Sequence, residues 1–230
     1  EIFIYSSNIG AAKMALEVGG EAQRAFLAEL GLLSQPSLEL PEIATPLYPQ
    51  HWRPINTATI GFGHGIAVSA IQLSAAISAI INDGLWRPPT LLARNEQQNF
   101  EKRIVSSATS RSIRQLLRLA VTHGTGGKAE VVGYWVGGKT GTAEKIGSNG
   151  YDGSKVLSSF VGIFPISNPR YLVFVMVDEP QGTHSTHGFA TGGWVAAPVV
   201  GESEKLNRSP DDIVTTTDWN HARRSGRYRS

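Results

Sequence analysis

Lys139-Thr140-Gly141-Thr142 and Ser6-Ser7-Asn8 are the residues of this chain whose types and order could do chemistry. Acyl transfer by a serine needs a nucleophile with a proton acceptor, donors for the developing oxyanion, and groups that position the acyl donor. A lysine at the edge of a strand-like run (Tyr134 to Gly138) followed by Thr-Gly-Thr fits the second and third needs. Threonine hydroxyls can bind a carboxylate, and Gly141 has no side chain to keep a substrate backbone from pairing with the strand. A backbone N–H near Thr142 could donate to the oxyanion. Ser6 and Asn8 have a competing reading, because Ser-Ser-Asn ahead of a helix is also what an N-cap looks like.

Other motifs compete and fall on context. Gly133 to Thr140 matches the pattern G-x4-G-K-[ST], but a P-loop needs a helix opening at its Lys-Thr. Here Tyr134, Trp135 and Val136 are strand formers, and Gly141, Gly147, Gly150 and Gly153 follow, which no helix tolerates. His184 and His187 have a spacing a metal site could use, yet no cysteine or acidic cluster joins them, and no metal is expected. His123 to Lys128 is glycine-rich and reads as a flexible turn between a helix and a strand.

The elements that must position these residues follow from periodicity and punctuation. Ile2 to Tyr5 reads as a short β-type run, and the caps Ser6 to Asn8 open a helix. Glu21 to Leu30 reads as an amphipathic helix stopped by Gly31, and Pro36 to Pro54 as a long proline-punctuated loop. A glycine-rich turn, Ile60 to Ile66, feeds a helix from about Ser69 to Asn82 whose small residues suggest burial on nearly all sides. Ser107 to His123 is a helix with Ile113, Leu116, Leu117 and Val121 in one stripe. Three β-type segments close the pattern: Val131 to Glu144, Val156 to Phe164 and Tyr171 to Val177, the last two an antiparallel pair. Helices first and strands after predict an α+β class, helices packed on an antiparallel sheet. Glu202 to Ser230 has no periodic apolar face and is expected to be a poorly ordered polar tail, leaving residues 1–201 as the domain.

Bulk properties exclude several classes. At 230 residues, 41% hydrophobic, the chain can bury a substantial core. A net charge of +2 gives no reason to expect nucleic acid as a partner, and the lack of cysteine excludes a thiol nucleophile. No segment is apolar for long enough to span a bilayer, and none reads as a signal peptide. The chain opens at Glu1, inside what reads as a strand entering a helix, so a preceding segment is expected.

Penicillin-recognising enzymes carry an ordered set, S-x-x-K, S-x-N and K-T-G. Two of the three are here in order; none of the seven lysines has a serine three residues before it. The wider series is more specific. Ser6 to Gly10, Gly61 to Gly65, His123 to Gly126, Val136 to Ala143, Ser159 to Pro165, Val177 to Pro180 and Gly192 to Pro198, in that order, resemble the transpeptidase domain of class B penicillin-binding proteins, the septal cell-division type of Gram-negative bacteria. The resemblance runs from Glu1 to about Gly201.

The resemblance implies a penicillin-binding-protein/β-lactamase-like fold, incomplete at its N-terminus, and a serine-type peptidoglycan D,D-transpeptidase. Such an enzyme acylates its serine with a D-Ala-D-Ala stem peptide, passes the acyl group to an amine on a neighbouring strand, and is acylated by β-lactams. On that resemblance Ser6 relays a proton to the leaving group, and Asn8 hydrogen-bonds the substrate amide and the motif lysine. Lys139 supplies positive potential, Thr140 and Thr142 hold the terminal carboxylate, and Gly141 makes room. It implies no cofactor, other cell-division proteins as partners, and a place on the periplasmic face of the inner membrane through an anchor upstream of this chain. Two departures stand out: the S-x-x-K helix is missing, and residues after Gly201 lack the family's amphipathic closing helix. The chain alone is therefore expected to be marginally folded and catalytically inactive. A non-catalytic scaffold module, or a carboxypeptidase or β-lactamase relative, are the alternatives.

Overall fold

Helix α1 (Asn8–Val18) begins where the Ser7 hydroxyl accepts the Gly10 amide at 3.2 Å. The computed structural model describes residues 1–93, 100–147 and 150–206. These belong to two units, Glu1–Leu116 and Leu117–Ser230.

Ile2 to Tyr5 in the first unit is a turn and not the expected strand. Its backbone closes on itself, Tyr5 N to Glu1 O at 3.0 Å and Ser7 N to Ile2 O at 2.9 Å. The Ile2 side chain sits over Gly10, where a Cβ would come within 2.6 Å of it. Local β propensity loses because these amides have partners in the turn and the side chain has one on the helix. Gly19 (φ +87) turns the chain into α2 (Gly20–Glu29), which stops before Gly31 (φ +76) as its glycine suggests.

The proline-punctuated stretch is pinned by a bridge between Leu47 and Ala67 and ends in a helix the periodicity did not reveal, α3 (Pro54–Gly61). Pro54 takes the first helical position, where its missing N–H is no loss. Gly61 lets α3 close on α1: a Cβ there would lie 2.6 Å from Ala15 Cβ. Helix α4 (Ala70–Ile81) opens with a reciprocal Ser69–Gln72 cap. Among its residues only Ala70 and Ile71 are exposed. Buried Gln72 is satisfied by the carbonyls of Gly31 and Ser34, at 3.2 and 2.8 Å. Leu30, Leu32, Ala76 and Ala79 form the core here, with Trp86 packed against them. Strands β1 (Leu85–Trp86) and β2 (Lys102–Arg103) make a small antiparallel pair. Helix α5 (Ser107–Thr122) follows.

The second unit holds an antiparallel sheet in the order β3 (Gly137–Gly147), β4 (Gly150–Phe164), β5 (Tyr171–Asp178). The first of these begins at 137, not 131. Val131, Tyr134 and Val136 instead fill the core, carried by a turn at Gly133 (φ +86). Helices α6 (Gly192–Val195) and α7 (Ala197–Leu206) pack on the sheet. Phe160, Val136 and Val200 are fully buried there, each side chain contributing roughly 1.5–3 kcal/mol by leaving water. The class is α+β. Helix α7 continues past the expected boundary at 201 to Leu206; the rest of the predicted tail, 207–230, lies outside the described residues. Among the described residues no helix is long and apolar enough to cross a membrane.

Candidate active site

Lys139 to Thr142 lie together on β3, which is an edge strand of its sheet among the described residues. Their partners on β4 are Val161, Phe160, Ser159 and Ser158 in turn. Side chains alternate along a strand, so Lys139 and Gly141 share one face while Thr140 and Thr142 share the other. The sequence pattern fixes this placement. Apolar β4 buries Phe160 and Val161 opposite the polar tetrad, which locks the register.

Each site side chain is held from nearby. The Lys139 ammonium is half-buried and donates to Thr140 O at 3.1 Å; its desolvation pulls the pKa below the usual lysine value. A lysine so placed projects a stronger field than one in water. Thr142 Oγ1 accepts the Gly192 amide at 3.2 Å. Thr140 Oγ1 lies 2.8 Å from Thr125 Oγ1. A methyl at Gly141 would meet Ser159 Oγ at 2.6 Å.

Helix α6 packs over β3 and β4 through its glycines. A Cβ at Gly192 would lie 2.1 Å from Ser159 O and 2.7 Å from Gly141 O, and one at Gly193 2.5 Å from Thr125 O. Trp194, next in line, stacks on Phe189 and meets the His187 ring edge-on, with the Lys128 ammonium 4.0 Å from its ring centre. His187 therefore packs on an aromatic ring in an exposed turn that also carries His184.

Ser6 and Asn8 sit together at the start of α1 in the first unit. The cap is Ser7, between them, so the plain-cap reading applies to neither neighbour. Ser6 is exposed at φ +55, a left-handed conformation that costs a non-glycine residue on the order of 1–3 kcal/mol. Asn8 is exposed in the first turn.

Thr125 reaches the tetrad from a segment whose spacing carries no signal of that contact. The expected flexible turn is tied down: Gly126 N donates to Ala120 O at 2.9 Å, and Gly126 is buried against Phe160. The signal available was a lone hydroxyl between two glycines, Gly124 and Gly126, which permit close packing. The P-loop alternative fails in the structure as it did on context, since Lys139 and Thr140 are in a strand.

The family description "Penicillin binding protein transpeptidase domain" matches residues 1–203. A probable peptidoglycan D,D-transpeptidase FtsI of Caulobacter vibrioides is 40% identical over 87% of this chain and 36% of its own length. The peptidoglycan D,D-transpeptidase FtsI of Escherichia coli is 31% identical over 91% of the chain and again 36% of its own length. The chain thus spans about a third of the length of these curated relatives. Among solved structures, the transpeptidase domain of Burkholderia pseudomallei penicillin-binding protein 3 superposes with a TM-score of 0.78 at 40% identity, covering 90% of this chain and 63% of that one. Penicillin-binding protein 3 of Mycobacterium tuberculosis, complexed with ampicillin, gives 0.79 at 27% identity, covering 93% and 54%.

Proposed function

The chain belongs to the penicillin-binding protein transpeptidase family, and on that premise we propose that it serves peptidoglycan D,D-transpeptidation in cell-wall synthesis and division. The observation that carries this reading is the β3 edge. A half-buried ammonium and two threonine hydroxyls, each hydroxyl touched by a group outside the strand, sit on the terminal strand of the described sheet, whose edge would pair with an extended peptide.

A stem peptide ending in D-Ala-D-Ala would add to that edge as an extended strand, with its carboxylate on Thr140 and Thr142. Lys139 would supply the potential that draws the carboxylate in, and the incoming charge would favour its protonated form. When a serine hydroxyl of a Ser-x-x-Lys segment, which these 230 residues do not contain, attacks the scissile carbonyl, a backbone N–H beside Thr142 would meet the oxyanion that forms. As that tetrahedral adduct collapses to the acyl-serine ester, Ser6 would pass a proton to the departing D-Ala amine, and Asn8 would hold the substrate amide. β-Lactams carry a carboxylate beside a reactive acyl group and would use the same contacts; the ampicillin complex of the Mycobacterium tuberculosis relative supports that choice of ligand. The setting would be the periplasmic face of the inner membrane, among other division proteins.

No Ser-x-x-Lys occurs within the 230 residues, which favours recognition without covalent turnover for this chain taken alone. Competition calorimetry tests the function. N-acetyl-D-Ala-D-Ala and benzylpenicillin should displace one another, and N-acetyl-L-Ala-L-Ala should displace neither. Equal binding of the two dipeptides would overturn the assignment.

A further inference from the structure

Thr140 and Thr142 face the same requirement: to bind a carboxylate, a hydroxyl must donate its only proton. A hydroxyl that already donates elsewhere turns lone pairs toward the anion. Thr142 meets the requirement visibly. Its Oγ1 accepts from the Gly192 amide at 3.2 Å, which leaves its proton for a ligand. Thr140 has a hydroxyl neighbour instead, Thr125 Oγ1 at 2.8 Å, and either could be the donor.

We propose that Thr125 is a positioning residue whose hydroxyl donates to Thr140 Oγ1, so that the Thr140 proton is presented to the substrate carboxylate. The proposal rests on the carboxylate role given to Thr140 above. Three features hold Thr125 to the task. Gly126 N is fixed on Ala120 O at 2.9 Å. Gly126 packs so closely on Phe160 that a Cβ would come within 3.0 Å of the ring, and Phe160 is itself the β4 partner of Thr140. Gly193 then abuts Thr125 O, where a Cβ would stand at 2.5 Å. The buried Phe160 thus touches Gly126 beside Thr125 and pairs with Thr140 across the sheet, so both hydroxyls are carried by segments packed on one residue. Both threonines of the motif would accept from the scaffold and donate to the ligand.

The test is a double-mutant cycle on the 230-residue chain, titrated with N-acetyl-D-Ala-D-Ala and with its C-terminal amide, which has no carboxylate. Thr140→Val should weaken binding of the acid about tenfold or more, the loss of one hydrogen bond to a charged group. Thr125→Val, nearly the same shape, should weaken the acid about three- to tenfold and the amide less than about twofold, because Thr140 keeps its hydroxyl but loses its orientation. Thr125→Ser should restore binding. The double variant should bind no worse than Thr140→Val alone, since the Thr125 effect acts through Thr140. If Thr140→Val weakens the acid and Thr125→Val does not, or if the two losses add, the positioning role is wrong while the carboxylate site stands. If Thr125→Val weakens acid and amide equally, its effect is structural and the proposal fails. If Thr140→Val itself leaves the acid unaffected, the carboxylate reading fails and takes the Thr125 role with it.

Discussion

Burial works against the charge on Lys139, and that opposition is measurable. Desolvation lowers its pKa, so the folded chain holds this proton less tightly than the unfolded chain does. Between the lowered value and the ordinary 10.5 the unfolded state binds more protons, so stability rises with pH across that window. Lys139→Met removes the effect. In urea unfolding from neutral pH up to 10.5, the wild-type chain should gain stability relative to Lys139→Met as pH rises; parallel curves would contradict a desolvated ammonium. Thr142 offers a second check at this scale. Thr142→Val should lose about tenfold in affinity for benzylpenicillin, the magnitude of a charged hydrogen bond, and Thr142→Ser should keep it. The tetrad itself was legible in the sequence because its residues are consecutive and share one strand. Thr125 was not, because its partner lies across a turn, and nothing in the spacing reports a hydroxyl pair formed by close packing on Phe160.

At the scale of elements, glycines decide how closely helices approach the sheet. Gly192 opens α6 against the backbone of β3 and β4, where a methyl would collide with Ser159 O at 2.1 Å and Gly141 O at 2.7 Å. Backbone cannot rotate aside as a side chain can, so Gly192→Ala should destabilise by about 1–3 kcal/mol or more in chemical denaturation. Gly201 in α7 is the contrast. Its nearest neighbours lie at an ordinary 3.5 Å, and Gly201→Ala should stabilise by roughly 0.5–1 kcal/mol through helix propensity. If both substitutions cost the same, the close approach of α6 is not what Gly192 serves. The same physics explains what the sequence hid. Val131 to Val136 has strand composition but supplies core side chains through a turn, and Ile2 to Tyr5 spends its amides locally. Helix α3 is too short for a periodic signal, and its proline read as loop punctuation though it serves as a helix start. The long helices α1, α2, α4 and α5 were readable from caps and apolar spacing, and β5 and the Val156 to Phe164 part of β4 from their near-continuous apolar runs; β4 starts earlier, at Gly150, where the sequence is polar and glycine-rich.

For the molecule as a whole, the α+β class and the family follow from the order of several short segments along the chain rather than from any one motif. The chain matches about a third of the length of its curated relatives, and its 230 residues include Lys139-Thr140-Gly141-Thr142 but no Ser-x-x-Lys. Intact-protein mass spectrometry after exposure to benzylpenicillin should therefore find the chain's mass unchanged. A stable gain of one penicillin would identify another acylated hydroxyl, with Ser6 the first to test, and would redraw its role as a relay. The central claim is that this chain recognises a D-Ala-D-Ala carboxylate at the β3 edge. Titration of the nitrogen-15-labelled chain with N-acetyl-D-Ala-D-Ala, followed by backbone amide NMR, tests it most directly. The largest shifts should fall on the amides of Gly138 to Thr142. Shifts centred elsewhere, or none at saturating peptide, would contradict it.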